Sequence, residues 1–184
     1  MADLTYATRT TILDGAQGGS AGVTIKMAAP AFRIALRAKP DAVEALSQAL
    51  DIGLPTRPKS SATSGLRSAL WLGPDEWLVI DQGESDLMAA LSNVPGLYSA
   101  TDVSHRNTAI IVSGTNAATA INAGCPQDLS LETFPVGACS RTLLGKAEVV
   151  LLRVADDTFR VECWRSFAEY VFGLLDEGAR DAGA

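Results

Sequence analysis

The feature that most constrains the fold is an internal repeat, in which two segments place apolar residues at matching positions. Ile34 and Leu36 in the first part of the chain align with Ile110 and Val112 in the second part. Self-similarity at a steady spacing indicates two like supersecondary units that pack on one another and bury apolar surface together. We therefore predict a chain built from two similar halves.

A strand-turn-strand pattern supports the same repeat. The segment 72–77 aligns with 154–159 at a somewhat larger spacing, and an insertion near 125–141 accounts for the increase. Each segment has an acid in the turn and an aromatic residue after it. These residues are Asp75 and Trp77 in the first segment, and Asp157 and Phe159 in the second. Because side chains alternate along a strand, we expect both aromatics to pack inside.

The order of elements in each half follows from hydrophobic periodicity. Alternation around 32–36 predicts a strand, and Pro40 opens a helix at a tolerated first-turn position. An exposed loop at 53–65, a hairpin, a short helix at 87–91 and a strand at 98–103 complete the first half. This βαββαβ order is the ferredoxin-like arrangement.

The sequence thus predicts an α+β fold of two ferredoxin-like halves packed together, at 31–104 and 105–184, after an irregular N-terminal arm at 1–30. Four glycines and no sustained period mark the arm. The last helix has the clearest start, because Ser166 and Glu169 form an S-x-x-E capping box.

Composition excludes several classes of partner. The formal net charge of −6 repels phosphate backbones and anionic lipids, so neither nucleic acid nor a membrane is expected. A local basic cluster of Arg57, Lys59 and Arg67 fits a solvated loop. The longest apolar runs, such as 149–152, are far too short to span a bilayer, which predicts a cytoplasmic protein.

The chain offers few residues for chemistry, and we predict no catalytic, cofactor-binding or metal-binding residue. Asp102, Ser104 and His105 occur together, but strand neighbours point to opposite faces, which favours a structural corner over a catalytic triad. The turn 113–116 lacks a phosphate-binding motif, which favours helix capping by Thr115 or Asn116. Three cysteines without C-x-x-C spacing are expected to be small buried hydrophobes. These are Cys125, Cys139 and Cys163.

Six stretches between Leu70 and Leu175 carry a resemblance to a known family. They are WLGPDEWLV at 71–79, DVSHR at 102–106, GCPQDL at 124–129, FPVGAC at 134–139, RTLLGKA at 141–147 and RSFAEY at 165–170. In this order they resemble the gamma subunit of heterotetrameric sarcosine oxidase. That family is in turn similar to the folate-binding aminomethyltransferases of the glycine cleavage system, whose fold contains paired ferredoxin-like units.

The resemblance implies a cytoplasmic oxidoreductase complex with alpha, beta and delta subunits as partners. Such a complex demethylates sarcosine to glycine, with hydrogen peroxide and 5,10-methylenetetrahydrofolate as further products. FAD, FMN, NAD and tetrahydrofolate are then held by the alpha and beta subunits, and zinc by delta. The gamma subunit is expected to bind no cofactor and to have no catalytic residue of its own.

Two alternatives remain open from the sequence. One is the equivalent subunit of a related N-methyl amino-acid dehydrogenase, and the other is a free-standing folate-binding protein similar to the aminomethyltransferases. A permanent subunit also needs an apolar contact surface. Trp71 and Trp164 are the candidate anchors, with Trp71 pointing away from Leu70 and Leu72 across the pleat.

Overall fold

The computed structural model describes residues 12–83 and 85–184. Eleven strands, four α-helices and two 3-10 turns form from these residues. The strands are β1 (Gln17–Ser20), β2 (Val23–Met27), β3 (Phe32–Ala38), β4 (Ser61–Ser64), β5 (Arg67–Gly73), β6 (Glu76–Asp81), β7 (Tyr98–Asp102), β8 (Asn107–Ser113), β9 (Cys139–Leu144), β10 (Ala147–Ala155) and β11 (Thr158–Trp164). The helices are α1 (Val43–Ala49), α2 (Leu87–Leu91), α3 (Ala117–Asn122) and α4 (Ala168–Ala182), with 3-10 turns at Pro40–Ala42 and Arg165–Phe167.

The first half is ferredoxin-like. Its sheet has the order β4-β5-β6-β3-β7, so β3 lies between β6 and β7 and every neighbouring pair is antiparallel. Helices α1 and α2 provide the two crossovers. Residues 61–64, predicted to belong to an exposed loop, instead form the edge strand β4, because Ser61 to Ser64 pair with β5.

The second half reaches the same topology by a different route. Its sheet has the order β1-β2-β8-β11-β10-β9, and β8-α3-β10-β11-α4 reproduces the first five elements of the unit. The fourth strand of the unit lies beside β8. That place is taken by β2, which precedes the first half in the chain and pairs antiparallel with β8.

The prediction of an irregular arm at 1–30 is therefore wrong for residues 17–27, while residues 1–11 lie outside the described residues. Val23 and Ile25 are buried and alternate with exposed Thr24 and Lys26, as in a strand. The segment is too short for this alternation to stand out beside the glycines that precede it. Gly19 lies in β1 just before the turn at 21–22 and allows the two strands to approach closely: its φ is +122°, and a Cβ there would lie 2.2 Å from the carbonyl oxygen of Val23.

The molecule has four layers, because each sheet carries helices on one face and meets the other sheet with its second face. Val161 and Val171 belong to the core between the six-stranded sheet and helices α3 and α4. Leu46 and Val79 belong to the core between the five-stranded sheet and helices α1 and α2. A smaller apolar cluster lies between the sheets and includes Leu70, Leu78, Ile80, Cys139 and Leu152. The α+β prediction of two ferredoxin-like halves is thus confirmed.

The repeat is visible in the backbone of the two hairpins. The pairing of β5 with β6 shifts register between Trp71 and Gly73. The pairing of β10 with β11 shifts at the equivalent place, between Arg153 and Ala155. Trp77 and Phe159 are both buried at matched positions, as predicted.

The predicted capping box of the last helix is wrong, although α4 itself is present. Ser166 lies inside the 3-10 turn, Phe167 takes the N-cap position, and no side chain caps the helix there. A capping side chain needs the extended backbone of a true N-cap residue, which a residue within a helical turn does not have.

Candidate functional site

The inner faces of the two sheets leave a narrow cleft between them. Leu72 and Leu78 of the first sheet and Val150 of the second line its apolar part. Its volume is about 60 Å³, whereas sites for drug-sized ligands start at roughly 300 Å³. The cleft is therefore a place for a few water molecules or for one inserted side chain.

Glu162 lies on the floor of this cleft and belongs to a buried ionic cluster that joins the sheets. Arg33 of β3 donates from Nε to Oε2 of Glu162 in β11 at 2.7 Å, and from Nη2 to Oε1 at 3.2 Å. Arg160 donates from Nε to the same Oε1 at 2.7 Å. All three residues are at least 95% buried, and among the described residues Glu162 is the one carboxylate that pairs with both buried cations. Losing one partner from such a cluster is costly, because the remaining charges have no water to solvate them.

The sequence pattern gives no sign of this cluster. Arg160 and Glu162 alternate with Phe159, Val161 and Cys163, which is the usual pattern of a strand with one solvated face. The second sheet covers that face in the structure. Arg33 alternates with Phe32 and Ile34 in the same way, so it gave no separate signal.

A second ionic cluster stands at the mouth of the cleft. Glu76 accepts a hydrogen bond from Arg37 Nη2 at 2.9 Å and also pairs with Arg141 across the sheets. Burial raises the pKa of Glu76, but the hydrogen bonds and charges of Arg141 and Arg37 outweigh it and hold the pKa below its ordinary value. Glu148, exposed by 54%, lies 3.9 Å from Arg141 Nε. The charged groups at the mouth thus pair with one another and bridge the two sheets.

An aromatic surface lies beside the mouth. The Arg106 guanidinium carbon is 5.1 Å from the centroid of the Trp164 ring, and the Phe167 ring is 6.1 Å from Trp164. Both Arg106 and Trp164 line the cleft. Trp71, the other candidate anchor, is half-buried and packs against the core of the first half.

The structure places the Asp-Ser-His segment at the turn between the two sheets. Ser104 donates both its backbone N–H and its hydroxyl to Oδ1 of Asp102, and its oxygen accepts from Arg33 N at 2.9 Å. His105 is exposed. The serine hydroxyl is thus engaged in fixing the corner, which agrees with the structural interpretation.

The space beside the turn at 113–116 is occupied by the protein's own backbone at Gly22. A Cβ on Gly114 would lie 2.2 Å from the carbonyl oxygen of Gly22, and Asn116 N donates to the same oxygen at 3.1 Å. The Asn116 side chain donates to Ala182 O at 3.0 Å. It makes no capping hydrogen bond to α3, so the predicted capping by Asn116 is wrong. The nearby end of α4 offers a better-placed partner than the first turn of α3.

The three cysteines are buried and free, as predicted. Burial raises the pKa of Cys139 to about 11 and that of Cys163 to about 12, which keeps both thiols protonated at neutral pH. The basic cluster predicted from the sequence is split. Arg67 pairs with Asp81 at 3.0 Å, while Arg57 and Lys59 line an open surface groove.

Within residues 12–83 and 85–184, no three His, Cys, Asp or Glu side chains lie close enough together to hold a metal ion. None of the helices that these residues form is long and apolar enough to cross a membrane.

Comparison with known families decides what kind of chain this is. A model of the sarcosine oxidase, gamma subunit family matches residues 35–181. The chain belongs to the sarcosine oxidase gamma subunit family. Two curated sarcosine oxidase gamma subunits, from Corynebacterium sp. (strain P-1) and from Arthrobacter sp., are each 34% identical over 170 residues. Each alignment covers 88% of this chain and 83% of the relative.

Solved structures agree with that family. A chain of the heterotetrameric sarcosine oxidase from Corynebacterium sp. U-96, in complex with pyrrole 2-carboxylate, superposes with a TM-score of 0.80 at 28% identity. The match covers 88% of this chain and 86% of that one. The glycine cleavage system aminomethyltransferase T from Bartonella henselae gives a TM-score of 0.65 at 16% identity over 87% of this chain and 49% of its own. That second likeness shows a shared fold.

Proposed function

We propose that this chain is the non-catalytic gamma subunit of a heterotetrameric sarcosine oxidase. The family match over residues 35–181 carries the proposal, together with the superposition on a chain of a heterotetrameric oxidase at a TM-score of 0.80. The complex would convert sarcosine to glycine with formation of hydrogen peroxide and 5,10-methylenetetrahydrofolate. Its partners would be the alpha, beta and delta subunits.

The geometry of the cleft supports a non-catalytic role. The aminomethyltransferase-like fold leaves only about 60 Å³ between its sheets here. The buried charged groups of Arg33, Arg160 and Glu162 bond to each other and join the sheets. FAD, FMN, NAD, tetrahydrofolate and zinc would accordingly be held by the other subunits, with zinc in delta.

The proposed complex is cytoplasmic and binds neither nucleic acid nor membranes. Three buried free thiols fit a reducing compartment. A net charge of −6 disfavours association with polyanions.

Affinity purification of the tagged full-length chain from cells that co-express the other three subunits tests the proposal. We expect a stable four-subunit complex with flavin absorbance and sarcosine-dependent peroxide formation, while the chain purified alone is colourless and inactive. Failure of the chain to co-purify with the other subunits would overturn the proposal, as would stoichiometric flavin on the isolated chain.

The same preparation separates the two alternatives. Turnover of another N-methyl amino acid in place of sarcosine would assign the chain to a related dehydrogenase. Saturable binding of a reduced folate to the isolated chain would assign it to a free-standing folate-binding protein, and the small cleft volume argues against that outcome.

A further inference from the structure

Three aromatic side chains stand exposed near the start of α4. Trp164 is 42% exposed, and Phe167 and Tyr170 are 41% exposed each. Trp164 and Phe167, whose ring centroids lie 6.1 Å apart, present roughly 120–210 Å² of aromatic surface, since side chains of this kind bury about 150–250 Å² each when fully covered. Arg106 lies over the Trp164 ring, so the patch combines the residue types that are enriched at interface hot spots. We call Arg106, Trp164 and Phe167 the Trp164 platform.

The platform is built on rigid backbone. Trp164 ends strand β11 and pairs with Asn107 of β8. Arg165 N donates to Arg106 O at 2.7 Å, and Arg106 Nε donates to Asn107 Oδ1 at 3.3 Å. Side chains that are already ordered in the free protein lose less conformational entropy when a partner binds. Arg106 and Trp164, which stack on each other above this backbone, therefore lose less freedom when a partner binds.

The charges around the platform are unequally satisfied. Glu76 and Glu148 at the mouth pair with Arg37 and Arg141, and Glu162 on the floor pairs with Arg33 and Arg160. Among the described residues, the ion pairs do not include Arg106. The cleft thus matches each of its carboxylates to an arginine and leaves one cation, stacked on an indole, without a carboxylate.

We propose that the Trp164 platform docks a segment of another oxidase subunit that carries a carboxylate beside an apolar side chain. The inference rests on the proposed function and names the contact surface. Arg106 binds the carboxylate, for which the planar guanidinium is suited, and Trp164 and Phe167 cover the apolar side chain. A stable interface buries about 800 Å² per partner, so the platform is the centre of a larger contact rather than its whole extent.

The choice between the two candidate tryptophans follows from their surroundings. Trp71 packs against the core of the first half and pairs with Trp77 across the hairpin. Trp164 is more exposed and has a cation on its ring. The structure therefore assigns the anchor to Trp164 and a covering role to Trp71.

The test measures how tightly variants of the full-length chain are retained by the other three subunits. Arg106→Ala and Trp164→Ala are compared with two controls at exposed positions away from the platform, Arg57→Ala and Leu97→Ala, the latter residue being 66% exposed. We expect each platform variant to weaken retention about 30-fold, the size of a hot spot, with a change of less than about two-fold for the controls. Thermal unfolding of each isolated variant verifies that it folds.

Salt dependence and self-association complete the test. Retention of the unchanged chain should fall with added NaCl, and the slope should be shallower for Arg106→Ala, because that variant lacks the ion pair. A complex that forms normally with both platform variants would overturn the docking site and leave the proposed function intact. Failure of the unchanged chain to join the other subunits would overturn both. Self-association of the isolated chain that Trp164→Ala abolishes, with retention by the other subunits unaltered, would assign the platform to a second copy and overturn our choice of partner.

Discussion

The two hairpins use the same backbone and different side chains. In the first half the residue before the register shift is Trp71, opposite Trp77, and in the second half it is Arg153, opposite Phe159. The Arg153 guanidinium carbon lies 4.3 Å from the centroid of the Phe159 ring, so a cation–π contact takes the place of an aromatic pair. The two hairpins share the bulge but not the chemistry of the pair beside it.

Each hairpin also secures the long loop of its own half. Trp77 Nε1 donates to Pro55 O at 2.7 Å, and Arg153 Nη2 donates to Leu129 O. In the first half the donor is the aromatic residue opposite the bulge, and in the second half it is the residue at the bulge itself. The common requirement is a donor at the hairpin that satisfies a loop carbonyl, and either side of the pair meets it.

The faces between the sheets differ more. Leu78 and Ile80 of β6 contribute apolar groups, while Arg160 and Glu162 occupy the corresponding positions of β11 in the repeat. Arg33 of the first sheet completes the cluster. At these matched positions the first half brings apolar side chains to the shared layer, and the second brings charged ones, of which Glu162 pairs with Arg33 across the layer.

Replacing Glu162 by the residue of the first half should have the largest effect. Glu162→Ile leaves Arg33 and Arg160 buried without a carboxylate, and we expect a loss of about 3–5 kcal/mol in the free energy of unfolding, measured by urea denaturation. The triple variant Arg33→Met, Arg160→Leu, Glu162→Ile should return to within about 2 kcal/mol of the original. If Glu162→Ile were as stable as the original protein, the ionic cluster would not contribute to the free energy of unfolding.

The fourth strand offers the next comparison. Ile25→Ala in β2 should cost about 2–5 kcal/mol, because Ile25 is fully buried in the core of the second half. Thr24→Ala, at the exposed neighbour on the same strand, should change stability by less than about 0.5 kcal/mol. Chemical denaturation checks both. Equal small effects would mean that β2 does not complete the second half.

Trp77→Phe gives the first hairpin the aromatic of the second. The smaller phenyl ring leaves part of the indole's space in the core empty, and the hydrogen bond to Pro55 O is lost, so we expect a cost of about 2 kcal/mol. Trp164→Phe is the matched control, since Trp164 is exposed, and it should be nearly neutral. Thermal unfolding of the pair measures the difference. A neutral Trp77→Phe would indicate that the loop at 54–60 is held by other contacts.

The smallest effect concerns Glu76, whose place in the second hairpin is taken by Thr158. The pKa of Glu76 lies below its ordinary value of 4.5, so its ion pairs stabilise the fold above about pH 4.5, and this contribution is lost as the pH falls through the lower pKa of the folded state. Glu76→Gln should lose up to about 1 kcal/mol at neutral pH and converge with the original protein in acid. Urea denaturation across this pH range is the measurement, and a gap that persists at low pH would contradict the ionic explanation.

Much of the fold followed from local pattern. The hairpin at 67–81 and the burial of Trp77 and Phe159 were predictable because alternation and turn residues are local signals. The strand at 23–27 was not predicted, because this short segment follows several glycines and contains too few alternating residues to reveal a strand. Its partner β8 comes only after the whole first half, so no local signal marks the pairing. The predicted capping box at the start of α4 was wrong because it requires an extended backbone at Ser166, where the structure has a 3-10 turn.

The sequence alone determined the two-part repeat, the α+β class and the family, because these depend on the order of apolar residues, turns and motifs along the chain. Only the tertiary structure decided which strand completes the second half and what the charged face of β11 meets. Those outcomes depend on contacts between segments far apart in sequence, such as the 129 positions between Arg33 and Glu162. A charge on a strand looks the same in the sequence whether water or a second sheet covers it, and the free energy of burying it is set by that cover.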